Sequence, residues 1–249
     1  MNEPGGLRTI KKERTRQTIA DVAIRLFLAR GFEKVSVAEI AAAAEVSKPT
    51  LFRYFASKEE LVLHQIADHR GEAGRVVRAR AAGVSPLAAL RRHYLDLLAE
   101  RNPVTGLCAE PEALAFRRLV YGTPSLSSHL LDYVAADTEA LAAALAETAE
   151  AAEAAEAAET AETAEVAETA ETTAGRARGG VAEGADGGAP GLTARLVAAQ
   201  YLAVHQTLAY ANWARVAAGT PLPEAAARAV ADAETAFSLL GSGAAAYGY

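Results

Sequence analysis

Apolar residues recur along most of the chain at the spacing of an α-helix. In the stretch TRQTIADVAIRLFLARGF, Ile19, Val22, Leu26 and Phe27 follow a helical repeat, and Gly31 then supplies a C-terminal stop. Farther along, SPLAALRRHYLDLLAER repeats the same kind of apolar stripe. The pattern is that of helix nearly everywhere, and the sequence therefore predicts an all-α fold.

Short helices are predicted after this first one, each with its own start signal. Ser36 and Glu39 have the spacing of a capping box, so a second helix begins at Ser36. A tight turn follows, Ser47 caps a third helix, and Ser57 and Glu60 form another capping box that opens a fourth. Two short helices joined by a tight turn, the second with a polar face, form a helix-turn-helix.

The third predicted helix has two different faces. Leu51 and Phe55 are four residues apart and share one face, which we expect to pack inward. Thr50, Arg53 and Tyr54 share another face and offer a hydroxyl, a cation and a phenol to a partner. In a helix-turn-helix this second helix enters the major groove of DNA. An ordinary three-helix packing unit with a solvated face has the same spacing, so the spacing leaves both interpretations open.

The charge of the chain is unevenly distributed. The net charge is −6, but nine glutamates stand at every third position from Glu147 to Glu171, and without them it would be +3. Residues 1–58 contain eleven Lys and Arg against six Asp and Glu, a local charge of +5. A basic end on an acidic chain suggests a polyanionic partner, although a solvated tail has the same composition.

A longer match makes the interpretation specific. The stretch TIADVAIRLFLARGFEKVSVAEIAAAAEVSKPTLFRYFASKEELV lies within a region, roughly residues 14–65, that resembles the N-terminal DNA-binding domain of the TetR family of bacterial transcriptional repressors. The resemblance implies an all-α protein in which three small helices bind DNA and a larger helical domain binds an inducer and dimerises. The expected segments are a basic disordered arm (1–13), the helix-turn-helix domain (14–58), the first part of a ligand-binding helical domain (59–146), a low-complexity Ala/Glu then Gly-rich insertion (147–190), C-terminal dimerisation helices (191–241) and a flexible tail (242–249).

The same resemblance implies which residues contact DNA. They lie on the third helix and beside it, at Ser36, Ser47, Lys48, Pro49, Thr50, Phe52, Arg53, Tyr54 and Lys58. Lys48 and Arg53 are the candidate base readers, because either can pair with guanine O6 and N7, although Arg53 could instead reach a phosphate. Tyr54, Lys58 and Ser36 are expected to hold phosphates, which fixes position without carrying sequence information.

Three positions depart from the family pattern. Phe52 stands where tyrosine is common, so apolar contact with a thymine methyl replaces a hydroxyl contact. Ala38 offers no hydrogen bond where some members have a base-reading arginine. Glu45 stands in the turn where glycine is frequent, and a left-handed backbone there would cost about 1–2 kcal/mol.

The C-terminal part is expected to provide the dimer interface and the ligand site. The resemblance implies that the last two helices pair with their symmetry mates as a four-helix bundle, although the same apolar positions could form the core of a single subunit. The candidate interface residues are Val197, Tyr201, Val204, Leu208, Val230 and Phe237. The candidate ligand contacts are the aromatic and imidazole side chains of Tyr94, Phe116, Tyr121, His129, Tyr133, His205 and Trp213, each of which could equally be core.

The Ala/Glu segment is expected to be a spacer. Its three-residue period does not match the 3.6 of a helix, so the glutamates spiral around the axis and leave no apolar stripe for docking. Alanine and glutamate favour helix at its start, whereas six glycines between Gly175 and Gly188 predict disorder at its end. An acidic mimic that competes with DNA for the basic arm is the functional alternative.

The sequence contains no recognisable catalytic, metal or membrane motif. The GxSxG, HExxH, Walker A and GxGxxG patterns are absent, and no two histidines are three or four residues apart. We therefore expect no enzyme activity, no metal and no cofactor. The N-terminus lacks the apolar core of a secretory signal, no run approaches 18 apolar residues, and the single cysteine, Cys108, suits a reducing compartment. These features predict a cytoplasmic protein without a membrane partner.

The resulting hypothesis is a dimeric repressor that a small-molecule inducer releases from a palindromic operator. Its expected partners are double-stranded operator DNA, an inducer of unknown identity and a second copy of the chain. An activator of the same fold is one alternative. A helical ligand-binding protein or enzyme that keeps the N-terminal fold as a packing module is another.

Overall fold

The computed structural model describes residues 4–67, 69–170 and 190–244, and these residues are helical without any strand. The ten α-helices are α1 (Pro4–Arg30), α2 (Val37–Ala43), α3 (Lys48–Tyr54), α4 (Lys58–Ala67), α5 (Glu72–Arg78), α6 (Pro86–Ala99), α7 (Pro111–Gly122), α8 (Pro124–Ala170), α9 (Leu192–Ala217) and α10 (Leu222–Ala244). A short 3₁₀ turn, Pro103–Thr105, connects α6 to α7. The all-α prediction is confirmed.

The predicted helix starts are present at the level of individual hydrogen bonds. The Ser36 hydroxyl accepts from the Glu39 N–H at 3.2 Å while Glu39 Oε2 accepts from the Ser36 N–H at 2.8 Å, which completes the capping box. The Ser57 hydroxyl accepts from the Glu60 N–H at 3.1 Å. Glu60 reaches back to the N–H of Ala56, one residue before the cap.

Two apolar clusters organise the helices. The first joins α1, α2, α3 and α4, and it also contains Val120 at the end of α7 and Leu126 near the start of α8. The second joins α5, α6, α8, α9 and α10, and it contains the predicted stripe of α6 with Leu90 and Tyr94. The N-terminal domain is therefore bound to the rest of the chain through a shared core at the α7–α8 corner.

The expected N-terminal arm and the expected Ala/Glu insertion can be compared with the helices of the structure. Helix α1 begins at Pro4, so residues 4–13 of the expected disordered arm are helical, because glycine and proline are absent between Gly6 and Gly31. Helix α8 continues to Ala170, in keeping with a helical start to the Ala/Glu segment. Residues 171–189 and 245–249, which include the expected disordered end of the insertion and most of the tail, lie outside the described residues.

The 3₁₀ turn is fixed tightly against α9. The side-chain amide of Asn212, which is fully buried, donates to the carbonyl of Thr105 at 3.0 Å. Gly106 follows with a φ of +76°, and a Cβ added to it would lie 2.0 Å from the carbonyl oxygen of Ala209. Glycine is therefore required here both for its left-handed backbone and for the close approach of the two segments.

No helix in the described part of the chain combines the length and the apolar character needed to cross a membrane.

Candidate nucleic-acid interface and ligand cavity

Helix α3 presents one face to the interior and another to solvent. Leu51 and Phe55 are fully buried in the N-terminal cluster. The exposed face of α3, as we name it, consists of Ser47, Lys48, Pro49, Phe52 and Arg53, with Thr50 and Tyr54 half-buried at its edge. The structure thus brings seven of the nine expected DNA-contacting residues together on one surface, and the large side chain of Phe52 is 46% exposed there.

Local contacts hold the exposed face of α3 in place. The Ser47 hydroxyl accepts from the Thr50 N–H at 3.2 Å and lies 2.8 Å from the Thr50 hydroxyl, so the cap also orients that side chain. The Arg53 guanidinium lies 5.5 Å from the ring centroid of Tyr54, a cation–π distance. Lys48 and Arg53 together place two cations on a surface that has apolar Phe52 at its centre.

The turn before α3 has the left-handed residue that the sequence suggested. Glu45 has a φ of +54°, and its N–H donates to the carbonyl of Ala42 at 3.1 Å. The next residue, Val46, donates to the carbonyl of Ala41 at 2.9 Å. These bonds close the C-terminal end of α2 and set the angle of α3, at a backbone cost of about 1–2 kcal/mol for a residue with a Cβ.

Ser36, at the cap of α2, has a hydroxyl that is already engaged. It donates to Glu39 Oε2 at 2.8 Å, and Arg30 Nη1 lies 2.8 Å from the other Glu39 oxygen. Hydrogen bonds from the Ser36 backbone and hydroxyl, and then from Arg30, lower the pKa of Glu39 to about 2. A phosphate at Ser36 therefore meets an ionised carboxylate, and Arg30, which the sequence did not single out, is the cation that offsets it.

The phosphate contact expected of Lys58 stays a prediction, and its ammonium already has partners within the chain. Its ammonium donates to the carbonyl of Phe32 at 2.5 Å and lies 4.2 Å from the Phe32 ring centroid and 5.5 Å from that of Phe27. In this arrangement the half-buried Lys58 holds the loop after α1, and a phosphate would compete with the Phe32 carbonyl and the two rings for its ammonium.

A cavity of about 1520 Å³ lies between the N-terminal domain and the rest of the chain. Four of the expected ligand residues line it, namely Phe116, Tyr121, Tyr133 and His205. The other three do not. Tyr94 is fully buried in the second cluster, His129 Nδ1 lies 3.1 Å from the Ser125 carbonyl of its own helix, and Trp213 packs behind Tyr121 with ring centroids 5.0 Å apart.

The polar end of this cavity was not expected from the sequence. Glu72 lies between two imidazoles, with one oxygen 2.8 Å from His69 Nδ1 and the other 3.1 Å from His93 Nε2. These two histidines hold the pKa of Glu72 well below its usual range. His205 lines the same cavity, and burial lowers its pKa to about 4, so its imidazole is neutral at pH 7. Only the fold brings the two histidines together, from the segment before α5 and from α6.

In the part of the chain that the structure describes, no three His, Cys, Asp or Glu side chains are arranged as a metal site.

The expected dimer residues lie mostly in the interior of the chain. Val197, Tyr201, Leu208 and Phe237 are buried in the second cluster, and Val204 packs against it, so these positions are core. Val230 alone is well exposed, at 43%. Of the two interpretations that the spacing left open for this face, the structure favours the core of a single subunit. Helix α9 carries apolar residues on two sides, so spacing alone could not decide.

The outer side of α9 carries a second apolar stripe. Leu192 is 74% exposed, Leu196 51% and Tyr210 53%. At 100° per residue these three positions fall within a narrow sector opposite the buried residues of the same helix. Between them lie Ala199 and Ala203, which are also exposed. This outer stripe of α9 is an exposed apolar surface, and Tyr210 at its far end also lines the cavity and packs against Tyr121, with ring centroids 5.1 Å apart.

Comparisons with known proteins agree with this architecture. Residues 19–64 match the family model of bacterial regulatory proteins of the tetR family. The HTH-type transcriptional regulator TcmR of Streptomyces glaucescens is 37% identical over 131 residues, which is 51% of this chain and 56% of TcmR. MftR of Mycobacterium tuberculosis is 31% identical over 139 residues, 55% of this chain and 66% of MftR. The chain thus aligns with between half and two thirds of the length of these curated relatives.

A solved structure supports the fold over most of the chain. NalD of Pseudomonas aeruginosa, described as the secondary repressor of the MexAB-OprM multidrug efflux pump, superposes with a TM-score of 0.50. The alignment covers 93% of this chain and 97% of NalD, at 18% sequence identity. At that identity the likeness concerns the fold alone.

Proposed function

Since the chain belongs, through residues 19–64, to the TetR family of bacterial regulatory proteins, we propose that it is a ligand-responsive, DNA-binding transcriptional regulator that acts as a dimeric repressor. The observation that carries this proposal is the exposed face of α3. Its two cations stand on a capped helix whose opposite side is buried, so they are held at fixed positions and are open to a partner. A regulator of this kind works in the bacterial cytoplasm, where the chromosome lies.

On DNA, the exposed face of α3 enters the major groove. Lys48 and Arg53 are the proposed base readers, because lysine and arginine pair with guanine O6 and N7. Phe52 supplies apolar contact to a thymine methyl. Tyr54 and the Ser47 cap contact the backbone and fix register. Each phosphate that the protein neutralises should steepen the dependence of log K on log salt by about 0.9.

The cavity is the proposed inducer site. Its aromatic side chains provide apolar contact area. Glu72 with its two neighbouring histidines, together with His205, provides hydrogen-bonding groups. A mostly apolar pocket with a few convergent polar groups is typical of small-molecule sites. The inducer shifts the protein away from its DNA-bound arrangement only by as much as its affinity for the two arrangements differs.

The outer stripe of α9 is the proposed subunit contact. An isologous two-fold interface places the same surface on both subunits, and Leu196 stands at the middle of a stripe that includes small alanines. Two helix-turn-helix domains related by that axis suit a palindromic operator whose half-sites are separated by one helical turn of DNA or a multiple of it.

Selection of bound fragments from genomic DNA tests the proposal even though the operator sequence is unknown. We expect recovery of fragments that share a palindrome, with a footprint over both half-sites and a steep loss of affinity as salt rises. Recovery of fragments without a common sequence, or failure to bind any duplex at low salt, would contradict the proposal.

A further inference from the structure

One wall of the cavity is formed by the first helix of the N-terminal domain itself. The cavity-facing residues of α1 are Asp21, Ile24, Arg25, Leu28 and Ala29. Their spacing of three, one, three and one places them on a single stripe of the helix. The cavity therefore extends beyond the C-terminal domain and reaches the domain that carries the exposed face of α3.

Helix α7 forms the opposite wall at this end of the cavity. Ala113 and Phe116 line it from α7, and α7 and α1 are neighbours in the fold. Ile24 is 7% exposed, while Leu28, Ala113 and Phe116 are half-buried. We call the cleft between these four side chains the head cleft. All four are apolar, so the head cleft favours an apolar group over a charged one.

The reverse side of α1 packs against α2 and α4, and it shares one buried cluster with α3. Ile19, Ala23 and Phe27 share one buried cluster with Leu51 and Phe55, and all five side chains are fully buried. Close-packed interiors have few voids and transmit displacement instead of absorbing it. A shift of α1 away from α7 is therefore expected to carry α3 and its exposed face with it.

We propose that the head cleft is a subsite for the apolar part of the cavity ligand, and that its occupation moves α1 and so displaces α3. The ligand class is a neutral molecule with an apolar ring system or hydrocarbon group for the head cleft and a hydrogen-bonding group for the end that contains Glu72 and neutral His205. The inference rests on the proposed function and adds to it a direct contact between the ligand and α1 of the N-terminal domain.

A bulky side chain placed in the head cleft imitates the ligand. Ala113→Phe adds a ring from α7 and leaves every residue of α1 and α3 unchanged. Ala88→Phe is the matched control, because it adds the same ring at an exposed position of α6 that does not line the cavity. Both variants are compared with the unaltered chain for affinity to one duplex selected by that chain from a random pool, measured by fluorescence anisotropy.

We expect Ala113→Phe to bind the duplex about tenfold or more weakly, the range of typical coupling between sites, and Ala88→Phe to stay close to the unaltered protein. Equal affinities of Ala113→Phe and the unaltered chain would overturn the inference and leave the proposed function intact, because the duplex is still bound. If no duplex is selected at all, the proposed function fails first.

A second measurement on the unaltered chain covers the case in which Ala113→Phe does not fold. N-phenyl-1-naphthylamine, a neutral aromatic dye, is the probe, and energy transfer from Trp213, the only tryptophan, reports its binding because Trp213 contacts cavity-lining Tyr121. We expect the bound dye to change hydrogen exchange at residues 20–30 and to weaken duplex binding. Absence of dye binding, or bound dye with unchanged exchange in α1, would overturn the inference.

Discussion

Replacement of Gly106 by alanine should be among the most destabilising single substitutions in the C-terminal part of the chain. The new Cβ would lie 2.0 Å from the Ala209 carbonyl oxygen and 3.0 Å from the Trp213 nitrogen, and both of these atoms are backbone of α9. The turn would have to move away from α9, which also breaks the buried hydrogen bond from Asn212 to Thr105. Left-handed strain of about 1–2 kcal/mol, overpacking of about 1–3 and an unpaired buried amide of about 1–3 together predict a loss of roughly 4 kcal/mol or more.

Gly219→Ala separates these contributions. Gly219 also has a positive φ, +87°, but an added Cβ there meets nothing within 4 Å. Its substitution should therefore cost only the left-handed strain, about 1–2 kcal/mol. Urea unfolding at one fixed protomer concentration measures both variants, since subunit association would otherwise change the midpoint. If Gly106→Ala costs no more than Gly219→Ala, the close approach of the 3₁₀ turn to α9 is refuted.

Strain, surface exposure and burial elsewhere in the chain give three further predictions. Glu45→Gly should raise the free energy of unfolding by up to about 1 kcal/mol in urea, because relief of left-handed strain exceeds the entropy that glycine adds to the unfolded chain; a loss of stability would contradict this. Leu196→Glu should convert the proposed dimer into a monomer in sedimentation experiments, whereas Arg92→Glu, on exposed α6 surface, should not. Burial lowers the pKa of His205 to about 4, so its neutral form stabilises the fold fully above pH 6.5, and that contribution is lost as the pH falls toward 4. His205→Gln should flatten this part of the stability–pH curve, and an unchanged slope would count against a buried neutral imidazole.

The N-terminal domain could be predicted from the sequence because its signals are local. Capping boxes act over three residues and the two faces of α3 over four, so Ser36, Glu39 and Leu51 appear in the structure as the spacing indicated. Glu45 is another such case, since a residue in a tight turn before a cap has few backbone choices. The contacts of Lys58 could not be predicted in this way, because Phe32 in the α1–α2 loop is 26 residues away and Phe27 lies on α1.

The cavity and the subunit contact depend on long-range packing that one sequence does not encode visibly. Glu72 contacts His93 only because α5 and α6 pack together, so no local spacing in the sequence predicts this contact. Helix α9 is apolar on two sides, and periodicity alone does not say which side faces the chain's own core. Tyr201 belongs to the inner side and Leu196 to the outer one, and only the neighbouring helices distinguish them.

The central claim is that the exposed face of α3 reads DNA, and the double variant Lys48→Ala/Arg53→Ala tests it most directly. Arg92→Ala/Arg228→Ala is the matched control, because it removes the same charge from exposed positions in the C-terminal domain. On a duplex selected by the unaltered chain, the first variant should lose about 2–6 kcal/mol of binding free energy, because each contact between a side chain and a base contributes about 1–3 kcal/mol. It should keep its helical content. The control should bind almost as the unaltered protein does. Equal affinities of the two double variants for that duplex would contradict the account.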